Sequence, residues 1–439
     1  MRIHHFISKP VRAIKGEITV PGDKSISHRS IIFGAIAKGT TIINGFLDGE
    51  DCMATLKAFQ AMGVSIEGPD EHQVVIHGVG KHGLKKPEQV IDCGNSGTSM
   101  RLLAGLLAAQ PFDSQLTGDE SLLKRPMLRI SKPLTQMGAD ITTVDGKPPI
   151  TIRGGRELNG IDYVMPEASA QVKSCILLAG LYARGKTRIT ETGVSRDHTE
   201  LMLKYFSYPV HHKDNVLMID STSECLGTEI FVPGDISSAA FFMVAATIIP
   251  GSDVLIRNVG INPTRTGIIH ILLEMGANIT LLNQRQLGEE WVADLRVKYA
   301  PLKGINIGAH MVPLAIDEFP AIFVAAACAQ GQTTLHGASE LRFKESDRIA
   351  TMVDGLSKLG IHAEAFDDGV MIEGGIMHGG SVESRGDHRI AMSFAIAGAV
   401  ASEPVTIKNC ANVATSFPLF IETARELQLQ IEEIVDNVQ

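Results

Sequence analysis

The chain has 439 residues, 44% of them hydrophobic but only 5% aromatic, and a formal net charge of −9 at neutral pH. That length exceeds one ordinary core and implies two domains built mainly from Ala, Leu, Ile, Val and Met, while the acidic balance excludes nonspecific nucleic-acid binding and leaves any bound anion to a local cluster of cations. Every apolar run is broken by Gly, a charge or a turn short of the roughly twenty residues a membrane span requires, and MRIHHFISKPVRAIKG has neither a signal core nor a transit-peptide composition, so a soluble cytoplasmic protein is expected.

In chain order one succession recurs six times: a polar turn, a helix of small apolar residues, a Gly or Pro turn, a Thr/Ile/Val strand, a polar loop, a Leu-rich helix and a strand. The first copy is GDKSISHRSIIFGAIAKGTTIINGFLDGEDCMATLKAFQAMGVSI. The second opens with GNSGTSMRLLAGLLA and closes with RISKPLTQMGADI, and the third opens with EASAQVKSCILLAGLYARGKTRITE. The fourth is GDISSAAFFMVAATIIPGSDVLIRNVG, ending HILLEMGANI. The fifth begins DEFPAIFVAAACAQGQTTL and runs through FKESDR, and the sixth begins GDHRIAMSFAIAGAVA.

The period of about seventy residues exceeds that of a solenoid repeat, so each copy is expected to form a small α/β layer. Six copies divide into two sets of three at VPGD, which occurs at Val20 and again at Val232. The predicted domains are 1–21 with 234–439, and an inserted 22–233, joined by two crossover strands at about 20–23 and 232–235. Pro-Gly sets the change of direction at each crossing. Helices such as LLAGLLAA, IFVAAACA and FAIAGAVA are apolar on nearly every face and must be buried. Their polar N-termini are expected to converge. The six cysteines are far apart with no CxxC pair, which predicts buried free thiols rather than disulfides or a zinc site.

Helix N-termini present unpaired N–H groups and a positive dipole end, so converging starts suit anions. The six starts carry Lys24, Ser25 and Arg29; Asn95, Gly97, Thr98 and Arg101; Ser169 and Gln171; Ser237 and Ser238; Asp317 and Glu318; and Asp387, His388 and Arg389. Loops add Lys124 and Arg125, Ser195 and Arg196, and Lys344, Glu345 and Arg348. Asn95, Ser237 and Ser238 read first as caps, and His28 and His388 as capping or packing groups. Arg101 and Lys124 read equally as solvated charges or as ligands. Arg29, Arg125, Arg348 and Arg389 recur at one place in their copies, which favours ligand binding. Asp317 and Glu345 stand among cations; they either neutralise arginines or serve as a base and an acid. No GxxxxGK[ST], GxGxxG or HExxH occurs, which removes the main support for nucleotide, dinucleotide and zinc-hydrolase readings.

The ordered blocks GDKSISHR, GNSGTSMR, LTGDESLLKRPM, EASAQ, SRDHTELML, DEFP, FKESDR, GDHRIAM and TSFP run essentially end to end, and with them the chain resembles the 5-enolpyruvylshikimate-3-phosphate synthase family. The resemblance implies an α/β (α+β) fold, a two-domain inverse-alpha-beta barrel of the enolpyruvyl transferase type with three βαβαββ units per domain. It implies transfer of the enolpyruvyl group of phosphoenolpyruvate to the 5-hydroxyl of shikimate 3-phosphate through a tetrahedral intermediate, by a monomer that uses no metal or organic cofactor and no nucleic-acid or membrane partner. By the same resemblance Lys24, Ser25, Arg29, Ser169, Gln171, Ser195, Arg196, Asp317 and Lys344 would hold shikimate 3-phosphate. Lys24, Asn95, Gly97, Thr98, Arg125, Gln171, Arg348 and Arg389 would hold phosphoenolpyruvate. Asp317 would take the hydroxyl proton, and Glu345 or Lys24 would protonate the methylene carbon. Mutual repulsion among these cations would hold an empty site open until the acceptor binds.

The chain departs from the family pattern at three points: Thr415 and Ser416 stand where many members have a Lys before the last block, Arg196 and His198 replace a Lys or aromatic residue, and Ala170 replaces a second Ser. The sister family that acts on UDP-N-acetylglucosamine resembles the chain less, because it usually has KN at Lys24-Ser25 and a cysteine in the loop before Arg125, where this chain reads GDESLLKRP. Members of the resembled family are glyphosate targets.

Overall fold

A computed structural model describes residues 2–437. The chain divides into two compact units, one made of the chain up to Pro21, Pro233–Gln286 and the residues from Glu290 on, the other of Gly22–Val232 with Leu287–Glu289. The divisions at Pro21/Gly22 and Val232/Pro233 fall inside the two VPGD stretches.

In the inserted unit the helices are α1 (Lys24–Ile36), α2 (Glu50–Ala61), α3 (Gly97–Leu107), α4 (Leu128–Gln136), α5 (Ala170–Gly180) and α6 (His198–Tyr205). The discontinuous unit holds α7 (Ile236–Ile248), α8 (Gly267–Glu274), α9 (Val312–Ala315), α10 (Phe319–Ala327), α11 (Arg348–Lys358), α12 (His388–Gly398) and α13 (Phe420–Glu426). Each unit carries three four-stranded sheets. Every sheet has a parallel pair at one edge, continued by an antiparallel partner. The edge strands come from distant sequence: Glu229–Phe231 pairs with Lys38–Asn44, and Lys15–Thr19 pairs with Asp253–Gly260. Each unit therefore binds its first and last segments into its own sheets.

Sequence composition explains the layering. All thirteen residues of α7, ISSAAFFMVAATI, are buried, and α1, α3, α5, α10 and α12 are buried along nearly their whole lengths. Each large apolar side chain taken out of water contributes ~1.5–3 kcal/mol. Each unit has its own apolar core around these helices. Outer helices such as α11 bury one face only, with Ile349, Met352 and Leu356 turned inward.

The two VPGD segments join no extended ladder. The flanking strands end at Thr19 and Phe231, and Gly234 makes only an isolated bridge with Val259. Proline has no N–H to give a ladder, and both segments are too short to be paired along their length. What recurs is a turn followed by a cap. Asp23 accepts from Ile26 N (2.9 Å) and starts α1, while Asp235 accepts from Ser237 N (2.8 Å) and starts α7. A Cβ on Gly22 would lie 1.9 Å from the Gly45 carbonyl oxygen, so only glycine fits there.

All six cysteines are free, and five are buried. Burial pushes five of the thiols upward, Cys225 and Cys328 to about 12 and Cys93, Cys175 and Cys410 further. A thiolate is the reactive form. The folded protein at pH 8 is expected to react with a thiol reagent at fewer than one site, and at all six once unfolded; rapid labelling of several thiols before unfolding would contradict this burial.

Candidate functional site

Polar groups gather at the helix starts of each unit. In the inserted unit, Arg29 is buried on α1 and gives all three guanidinium nitrogens to neighbours: Nε to Thr199 Oγ1 (2.8 Å), Nη1 to the Ser25 carbonyl (2.9 Å) and Nη2 to Ser174 Oγ (2.9 Å). Ser174 and Thr199 are themselves 2.6 Å apart, so α5 and α6 meet around this arginine. Lys24, at the first position of α1, is paired with the buried Asp51 of α2. Ser25 is half-buried beside it. Ser195 is buried and donates to Glu191 Oε1 (2.6 Å), with Arg196 half-buried next to it.

The start of α3 gathers a second set. Its cap is Ser96, whose oxygen accepts from Ser99 N (3.0 Å). Asn95 is therefore not the cap; its amide donates to Asp119 Oδ2 (2.7 Å) and its carbonyl accepts from Arg125 Nη2 (3.0 Å). Arg101 donates to Gln171, and Gln171 donates to Thr98 Oγ1 (3.0 Å). A Cβ on Gly97 would lie 2.9 Å from Arg101 Nη1 and 3.0 Å from Arg125 Nη1. Two guanidinium groups thus close over one bare backbone position at a helix N-terminus, an arrangement suited to a phosphate or carboxylate. Ser169 caps α5, accepting from Val172 N at 3.4 Å, which leaves its hydroxyl proton for another partner. Lys124 is exposed and pairs with Glu120 (2.6 Å), the solvated alternative.

His28 is buried, and its pKa is lowered well below the ordinary value by burial, with Lys24 and Arg29 adding to the effect. It stays neutral and bonds Thr55 Oγ1 through Nδ1 (2.8 Å); Thr55 meets Ser99 Oγ (2.6 Å), which reaches Ser96 Oγ (2.8 Å). This chain of hydroxyls locks α1, α2 and α3 together. It is a packing role, not an acid–base one.

In the discontinuous unit the centre is Arg348, 1% exposed at the start of α11. Its Nε donates to Asp387 Oδ2 (2.9 Å), Nη2 to Glu345 Oε2 (2.7 Å) and Nη1 to Asp317 Oδ1 (3.4 Å). Burial works against its charge, but Asp387, Glu345 and Asp317 outweigh burial and raise its pKa. Asp387 also caps α12 through Arg389 N (3.0 Å) and accepts from Ser346 Oγ (3.0 Å). Arg389 Nη2 lies 4.0 Å from Asp317 Oδ2. Half-buried Lys344 has its pKa lowered by burial, with Asp317 acting in the opposite direction. Three cations and three carboxylates balance in this cluster. Repulsion among the cations is therefore smaller than their number in the sequence implies, because Asp51 and Asp387 lie against them.

Ser237 is not a cap either: the cap is Asp235, and the Ser237 hydroxyl bonds the buried Glu318 and accepts from Arg265 Nη2 (2.7 Å). Thr415 and Ser416, at the place of the family lysine, are buried, and Thr415 Oγ1 donates to the Asn412 carbonyl (2.7 Å). No cation replaces that lysine at these two positions. Among the described residues no group of three or more His, Cys, Asp or Glu side chains is placed to hold a metal ion.

The sequence undervalued Arg101. A helix side chain leans toward the N-terminus, so an Arg four positions after Gly97 was placed to return over it. Asp51 and Asp387 left a weaker signal, as acidic residues at helix starts.

The class these features define is a two-unit α/β protein with guanidinium groups and carboxylates set at buried helix starts, an arrangement suited to anionic small molecules. The chain belongs to the EPSP synthase family: the model for EPSP synthase (3-phosphoshikimate 1-carboxyvinyltransferase) matches residues 8–424. It is 77% identical over 429 residues to a 3-phosphoshikimate 1-carboxyvinyltransferase of Legionella pneumophila strain Philadelphia 1, covering 98% of this chain and 99% of that one. It is 61% identical to the Methylococcus capsulatus protein of the same name, over 97% of this chain and 98% of the relative. A solved EPSP synthase from Acinetobacter baumannii superposes with a TM-score of 0.88 at 57% identity, over 98% of this chain and the whole of that one.

Replacing Arg348 by Met would leave Asp387 buried beside two further carboxylates without their shared cation. Removing one partner of a buried ion pair costs about 3–5 kcal/mol. Urea unfolding of the Arg348→Met variant is expected to show a loss of that size; an unchanged midpoint would mean that the guanidinium does not hold this cluster together.

Proposed function

We propose that this chain transfers the enolpyruvyl group of phosphoenolpyruvate to the 5-hydroxyl of shikimate 3-phosphate and releases inorganic phosphate, the 3-phosphoshikimate 1-carboxyvinyltransferase step of the shikimate pathway to aromatic amino acids. The observation that carries this reading is that Asp317 and Glu345 are both held on the single buried guanidinium of Arg348, in a chain that matches one enzyme family over nearly its whole length. Two carboxylates fixed on one rigid group supply a base and an acid in constant relative position.

In this reading each unit is a domain of the enolpyruvyl transferase type with three repeats. Lys24, Ser25, Arg29, Ser169, Gln171, Ser195, Arg196, Asp317 and Lys344 hold shikimate 3-phosphate. Lys24, Asn95, Gly97, Thr98, Arg125, Gln171, Arg348 and Arg389 hold phosphoenolpyruvate, and Arg101 joins Arg125 over Gly97. Asp317 takes the 5-hydroxyl proton as the oxygen bonds to the central carbon of the donor. Glu345 or Lys24 delivers a proton to the methylene carbon. The resulting tetrahedral adduct then loses phosphate as a proton leaves its methyl group, which restores the double bond.

The substrate pair brings two phosphates of about −1.5 to −2 each and two carboxylates. Forked arginine contacts contribute ~1.5–3 kcal/mol apiece. Most of these arginines already have partners, so substrate binding exchanges internal hydrogen bonds for ligand ones. A monomeric, cytoplasmic enzyme accords with this reading and with six unbridged cysteines.

Phosphate release from phosphoenolpyruvate, with shikimate 3-phosphate and UDP-N-acetylglucosamine offered separately, tests the assignment. Release only with shikimate 3-phosphate is expected; release only with the sugar nucleotide would overturn it. Asp317→Ala is expected to lower turnover at least about a hundredfold while shikimate 3-phosphate still binds, and near-normal turnover would remove Asp317 from the chemistry.

A further inference from the structure

Lys173 lies on α5 with 1% of its side chain exposed, in a helix with no other charged residue. A buried ammonium must be paired. Its Nζ is 2.9 Å from Glu191 Oε1 and 2.6 Å from Glu200 Oε1. The same Glu191 oxygen accepts the Ser195 hydroxyl at 2.6 Å. The Glu191 backbone is fixed at both ends by Asn215, whose carbonyl accepts from Glu191 N (2.9 Å) and whose side chain donates to the Glu191 carbonyl (3.0 Å).

Adjacent residues repeat the link. Ser174 follows Lys173, Thr199 precedes Glu200, and these two hydroxyls meet at 2.6 Å and both accept from Arg29. Lys173 therefore stands between two groups assigned above to the acceptor, Ser195 on one side and Arg29 on the other.

We infer that Lys173 is a positioning residue that balances the charge of Glu191 and so lets the phosphate of the acceptor reach the Ser195–Arg196 turn. The inference rests on the proposed role of that turn in holding shikimate 3-phosphate. Its physical content is simple. In the structure Ser195 gives its proton to Glu191, so it must turn that proton toward a phosphate oxygen when the ligand arrives. Glu191 then keeps Lys173 as its partner and is not left as a bare carboxylate against a dianion. Lys173 also pairs with Glu200 (2.6 Å), but it is Glu191 that reaches the Ser195 hydroxyl. Without Lys173, like charges face each other where the ligand binds.

The test is steady-state kinetics of the full chain with Lys173→Met, Glu191→Gln and the double variant, with unphosphorylated shikimate as a competitive inhibitor. Lys173→Met is expected to raise KM for shikimate 3-phosphate about ten- to a hundredfold, with kcat, KM for phosphoenolpyruvate and the inhibition constant of shikimate within about threefold. The double variant is expected to recover KM to within about fivefold, because the neutral amide still accepts from Ser195. Equal weakening toward shikimate and shikimate 3-phosphate, or no rescue, would overturn the inference. Should Lys173→Met fail to fold, Glu191→Gln decides alone: KM for shikimate 3-phosphate is expected to hold or fall, and a rise would count against the role. Ser195→Ala separates the two levels. If it leaves that KM unchanged, the assignment of the turn is wrong; if it raises KM while Lys173→Met does not, only the role of Lys173 is wrong.

Discussion

A helix that is apolar on every side can meet water and ligands only at its ends. That constraint organises both units. Once α7 is buried along all thirteen residues, and the other inner helices nearly so, the charged residues of these segments lie in the first two turns and the loop before them. The N-terminal end carries unpaired N–H groups and the positive end of the dipole. Burial of the core and placement of anion-binding groups are therefore one event, driven by ~25 cal/mol for each Å² of apolar surface removed from water.

Packing cations against buried helix ends creates the opposite problem. A buried guanidinium without partners would be costly, and the chain answers it differently in each place. Arg29 is held by hydroxyls and a carbonyl, Arg348 by three carboxylates, Lys24 by Asp51 and Lys173 by two glutamates. Hydroxyl partners leave a positive charge for an anion to meet. Carboxylate partners neutralise it but supply groups that move protons. This difference accords with the roles proposed for Arg29 in holding shikimate 3-phosphate and for Asp317 and Glu345 in moving protons.

The inner helices were legible because their composition leaves no alternative: LLAGLLAA and FAIAGAVA cannot sit on a surface, and helices α3 and α12 occupy those stretches. The VPGD recurrence was legible too, but as a turn followed by an aspartate cap, since proline and glycine deny the segment the ladder of a strand. The charge partners were not legible. Asp51 pairs with a lysine 27 residues away and Asp387 with an arginine 39 residues away, and only tertiary packing brings them together. Ser237 shows the same limit: a serine at a helix start reads as a cap, yet its hydroxyl goes to Glu318 and Arg265, because Asp235 has already taken that place.

The central claim is that the substrate anions bind at these helix starts, the phosphoenolpyruvate at Gly97 beneath Arg125 and the phosphate of the acceptor at the Ser195–Arg196 turn. A crystal structure of the Asp317→Ala protein with both substrates tests it most directly. The account predicts the phosphoenolpyruvate within hydrogen-bond distance of Arg125 and the Gly97 backbone, and Ser195 turned from Glu191 to a phosphate oxygen of shikimate 3-phosphate while Lys173 stays on Glu191. Both substrates ordered elsewhere, with the Ser195–Glu191 bond and the Arg125–Asn95 contact intact, would contradict it.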